Sequence, residues 1–86
     1  MQDRLTALKI RYEFEDARRA ALDYLLQGWE EAILDGIDGD CLANAALFAA
    51  FKELVATYGE EPVARFAERL PERVRDGEFT IPGVRQ

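Results

Sequence analysis

Between Cys41 and Tyr58 the chain reads CLANAALFAAFKELVATY, with Asn44, Lys52, Glu53 and Thr57 as its polar residues. At helical spacing the apolar side chains fall on nearly every side, and a helix of that kind is stable only when surrounded. Ala43, Ala45, Ala46, Ala49 and Ala50 allow neighbouring backbones to approach closely. Leu47, Phe48, Phe51, Leu54 and Val55 fill the spaces between helices. The pattern predicts a core helix over 41–58, in a chain whose 86 residues leave little else to cover it.

The strongest amphipathic pattern lies upstream. Ala17, Ala21, Tyr24, Leu25, Gly28, Trp29 and Ala32 fall together at helical spacing, with Asp16, Arg19, Asp23, Gln27, Glu30 and Glu31 opposite. Leu22, Leu26 and Ile33 widen the stripe beyond what one neighbouring helix needs. Asp35-Gly36-Ile37-Asp38-Gly39-Asp40 ends this helix, with glycines for positive φ and Asp40 as the expected N-cap of the next.

Residues 7–15 read two ways. Leu8, Ile10, Tyr12 and Phe14 alternate with Lys9, Arg11, Glu13 and Glu15, which is a strand pattern. Yet Leu5, Leu8, Tyr12, Leu22, Leu26, Trp29 and Ile33 keep a heptad frame, interrupted at Glu15 and Arg19, which at i, i+4 would form an ion pair. The helix is preferred, since a lone strand has nothing to pair with except its own copy. Either reading points to self-association.

Gly59 ends the second helix, and Glu60-Glu61-Pro62 opens a third with acidic residues at its positive end. Val63, Phe66, Ala67, Leu70 and Val74 form its stripe. Pro71 cannot donate to the carbonyl four residues back, so a kink or restart is expected near Leu70-Pro71. Gly77 ends the helix. The tail 77–86 holds a Pro82-Gly83 turn, and Phe79, Ile81 and Val84 could pin it to the core.

Composition excludes more than it assigns. Cys41 is the lone cysteine, so no intramolecular disulfide forms, and it is expected to be a buried or partly buried structural thiol. There is no histidine and no serine, which removes the usual general base, the usual zinc ligand and serine–histidine or cysteine–histidine nucleophiles. No enzyme activity and no cofactor are expected. The first residues do not read as a signal peptide and the apolar run 41–51 is half a membrane span, so a cytoplasmic location without membrane contact is expected. Nine arginines against two lysines, with abundant alanine, suggest a GC-rich, bacterial source.

Three charged constellations have plainer explanations. Asp35, Asp38 and Asp40 lack EF-hand spacing, since position 5 from Asp38 is Leu42 and position 12 is Ala49; no metal site is expected. Glu13 with Asp16, and Asp35 with Asp38, resemble the Mg²⁺-binding carboxylate pairs of all-α nucleoside triphosphate hydrolases, but those need two pairs facing one cavity. Arg65, Arg69 and Arg73 run beside Glu61, Glu68, Glu72 and Asp76 as a salt-bridged, solvated face.

If 7–15 were a strand, the order strand–helix–helix over about the first 58 residues would resemble ribbon-helix-helix repressors. No residue carries over. Three aspartates precede the second helix, where those proteins offer phosphate contacts, and a net charge of −6 disfavours nucleic acid.

The expected fold is all-α: one helical domain over 1–76, with helices from residue 3 or 16 to 35, 41–58 and 61–76, and an extended tail over 77–86. It is expected to form a dimeric helical bundle. The expected function is a non-enzymatic homodimeric protein–protein interaction module, with a further protein partner. Its interface candidates are Leu8, Tyr12, Phe14, Leu22, Leu26, Trp29 and Ile33, with Tyr24 and Phe79 as additional aromatic anchors. A dimeric transcriptional regulator or antitoxin-like protein is the alternative, and a Mg²⁺-dependent hydrolase a more distant one.

Overall fold

The heptad frame wins over the strand alternation at the N-terminus. In the computed structural model, which describes the backbone of residues 4–83 and the side chains of 13–83, a single helix α1 spans Arg4–Leu34. Residues 7–15 are helical, so the strand reading is overturned, and with it the structural basis of the ribbon-helix-helix resemblance. Helical propagation, adding one hydrogen bond per residue, extends the strong pattern of 16–34 back through a segment with no strand to pair with. The fold is all-α, with α2 over Gly39–Tyr58, α3 over Glu60–Ala67 and α4 over Leu70–Arg75.

The chain divides into two units, Met1–Ala43 and Asn44–Gln86, the boundary falling within the first turns of α2. In the first unit α1 ends in a complete Schellman motif. Ile37 N–H donates to Ala32 O and Gly36 N–H to Ile33 O, each at 3.0 Å. Gly36 sits at φ 93°, where a Cβ would be strained. The N-cap of α2 is Asp38 rather than Asp40: Asp38 Oδ1 accepts from Asp40 N–H at 3.1 Å and Asp38 O from Leu42 N–H at 3.0 Å. The helix starts two residues earlier than expected because this carboxylate takes an orphan donor of the first turn, leaving Asp40 at the positive end of the dipole.

In the second unit Gly59 alone separates α2 from α3. The expected restart at Leu70-Pro71 is present: α3 stops at Ala67, Glu68 and Arg69 form a turn, and Pro71 lies in the first turn of α4, where its missing N–H costs nothing. A second Schellman motif closes α4, with Glu78 N–H on Arg73 O and Gly77 N–H on Val74 O, both at 3.1 Å, and Gly77 at φ 84°. A further turn, Thr80 N–H to Gly77 O, follows at once. The segment after α4 turns at 76–79 and again at 82–83, and its last expected anchor, Val84, lies outside the described residues.

Burial departs most from expectation. Val63, at 7% exposure, is the one buried residue among those described, and α2, expected to be the core, contains none. Phe51, Leu54 and Val55 reach intermediate burial, whereas Phe48 is 70% exposed. The sequence reading of α2 as apolar on nearly every side holds, but the burial expected of it is not found.

Candidate interaction surface

The candidate interface residues fall on α1. Leu22, Leu26, Trp29 and Ile33 are 52%, 55%, 37% and 43% exposed, and their spacing of four, three and four residues places them in one row. Phe14 is exposed but stands off that row, on the side shared with Ala21 and Leu25, and Tyr24 lies farther round. Leu8 and Tyr12 belong to α1 by backbone and continue the row by register; their side chains lie outside the described residues.

The heptad break is informative. Glu15 and Arg19 occupy row positions and, with Arg18 and Leu22, border a notch of about 210 Å³. The i, i+4 ion pair expected between them is not formed; among the described residues the ion pairs are Arg65–Glu61 and Arg73–Glu78. Their side chains stand on the apolar row without neutralising one another.

In the second unit Leu54, Tyr58, Pro62, Val63 and Phe66 line an open apolar cup of about 290 Å³. The basic line behaves in two ways. Arg65 meets Glu61 at 3.9 Å with both side chains exposed, the weak surface pair that was expected. Arg73 leaves the line: Nε donates to Glu78 Oε1 at 2.9 Å and Nη2 to Oε2, while its guanidinium lies 5.4 Å from the Phe79 ring centroid and 6.0 Å from that of Phe66. The hydrogen bond to Glu78, reinforced by its charge, raises the Arg73 pKa above the ordinary arginine value despite some desolvation. Phe79 thus meets an arginine that sequence reading left on a solvated face, rather than the core, and is itself 56% exposed. The signal was Gly77, whose Schellman turn brings residue 78 back over residue 73.

The acidic residues do not converge. No group of three metal-ligating side chains exists among the described residues. Asp38 caps α2, and Asp16 lies about 28 Å along α1 from Asp35, so the two carboxylate pairs do not face one cavity. Cys41 is exposed rather than buried, in keeping with the exposure of α2. By length and composition alone α2 could cross a membrane, with a mean hydropathy of 1.2 over its best window, none of it buried. No protein family model, no curated protein and no solved structure matches the chain.

Proposed function

We propose that this chain is a non-enzymatic protein–protein interaction module that works as a homodimer, its first partner being a second copy of itself. The observation that carries this reading is exposed apolar surface on the long helices: Leu22, Leu26, Trp29 and Ile33 stand in one row on α1 at 52%, 55%, 37% and 43% exposure, and α2 contains no buried residue. Helices of this length draw most of their stability from tertiary packing, and a second copy supplies it without any further component.

The net charge of −6 suits a basic protein as the next partner and opposes nucleic acid. A protein cover for α2 is favoured over a lipid one by Lys52 and Glu53, since a charged residue near the centre of a span costs about 2.5–3.5 kcal/mol. The uncharged run 41–51 is also only about 16 Å long, against a hydrocarbon core of about 30 Å.

Light scattering after size exclusion tests the proposal. The expected result is a mass near twice 9.8 kDa that persists on dilution into the low micromolar range. A folded species of monomer mass overturns it.

A further inference from the structure

We infer that the two copies pair through α1 in antiparallel fashion, in the single register that sets Glu15 of each chain opposite Arg19 of the other. This inference rests on the homodimer proposed above and specifies its interface.

The row on α1 follows a strict three–four alternation through positions 5, 8, 12, 15, 19, 22, 26, 29 and 33, the seam of a coiled coil. Seven of these positions are apolar. The other two, Glu15 and Arg19, carry opposite charges near the middle of a 31-residue helix. Both are exposed, and neither forms an ion pair with a described residue. A seam buried by a second copy must neutralise them, because a desolvated charge without a partner is strongly destabilising.

Orientation decides whether it can. In a parallel pair, each seam residue meets its own copy, so Glu15 stacks on Glu15 and Arg19 on Arg19, two like-charge layers inside the interface. In an antiparallel pair, facing residues have numbers with a constant sum, and a sum of 34 puts Glu15 against Arg19 twice, on either side of the two-fold axis. The same register sets Leu22 against position 12, Leu26 against position 8 and Trp29 against position 5, held by Tyr12, Leu8 and Leu5. Every seam position from 5 to 29 finds a partner, over about 36 Å of helix. Sliding by one heptad, to a sum of 27 or 41, sets both charges against apolar residues. The polar layer thus selects both direction and register, the best-attested use of such a layer. At the flanks Asp16 and Arg18 each meet their own copy at solvent-exposed positions, where salt screens the repulsion.

Charge reversal and a distance measurement test the pairing together. Glu15→Arg and Arg19→Glu should each weaken dimerisation at least tenfold, and Glu15→Arg/Arg19→Glu, which restores both pairs with their signs exchanged, should recover most of the loss. A parallel dimer, whose two charged layers lie about 6 Å apart, would also lose their mutual neutrality on either reversal, so the reversals test whether the seam buries these charges and the label distance tests its direction; single variants with unchanged affinity overturn the inference. The second readout is electron–electron distance between spin labels at Glu31→Cys in a Cys41→Ala background. The antiparallel register places the labels on the order of 45 Å apart and the parallel one within about 25 Å. A dimer with the short distance overturns the antiparallel seam and leaves the homodimer standing; a monomer overturns both.

Discussion

Dilution is the perturbation that bears most directly on a chain with one buried residue among those described. If folding and association are one event, the unfolded monomers sit on the other side of a bimolecular equilibrium, and each tenfold dilution shifts the balance by about 1.4 kcal/mol per dimer. A dimer of roughly 170 residues unfolds with an enthalpy of about 120 kcal/mol near 60 °C, hence an entropy of about 0.36 kcal/mol/K. The melting temperature should therefore fall by about 4 °C per decade, or about 8 °C between 100 and 1 µM. Circular dichroism at 222 nm in cells of different path length follows this directly, since the described residues are predominantly helical. Helical signal and mass should be lost together. Superimposable melts across the hundredfold range, with a cooperative transition at each concentration, would refute the reasoning: the helices would then be stabilised within one chain, and the exposed row on α1 would be irrelevant to folding.

Trp29 is the only tryptophan and sits in the proposed seam, so its emission should be shifted to the blue in the dimer and move to the red on dilution in step with the mass; dilution without a spectral change places it outside the interface. Asp38→Ala removes the N-cap of α2 and should cost about 1 kcal/mol, read as a lower melting temperature at fixed concentration, while Asp38→Asn should retain most of the cap. Arg73→Ala should release the segment after α4, seen as faster amide exchange at residues 77–80. Lysine should rescue little, because it cannot reproduce the two-pronged contact with Glu78. Glu78 raises the pKa of Arg73, so that group's contribution is complete below the ordinary arginine value and is lost only as pH rises through the higher folded value. Exchange at 77–80 should therefore show no Arg73 titration up to pH 10, after correction for intrinsic rates.

The helical architecture was legible because long-period patterns are redundant: seven apolar residues over 5–33 outvote an eight-residue alternation over 8–15. The break at Leu70-Pro71 was equally readable, since proline's missing donor acts locally. Boundaries were less so. Asp38 and Asp40 flank Gly39 and both carry a capping carboxylate, so residue type alone does not choose between them. Arg73 was misread because its partner is five residues away, a separation that does not meet on a helix and is closed only by the reversal at Gly77. The exposure of α2 was legible only as an excess, since a sequence shows how much apolar surface there is but not what covers it.

That Val63 alone among the described residues is shielded also bears on how long such a chain lasts in a cell. On the homodimer proposal, a newly made copy stays open to proteases and chaperones until it meets another, so the fraction that survives rises with the rate of synthesis rather than staying fixed. Halving expression would then lower the amount of working protein by more than half. The encounter rate acts as a threshold, removing stray copies at low abundance and sparing them once pairs form faster than they are cleared.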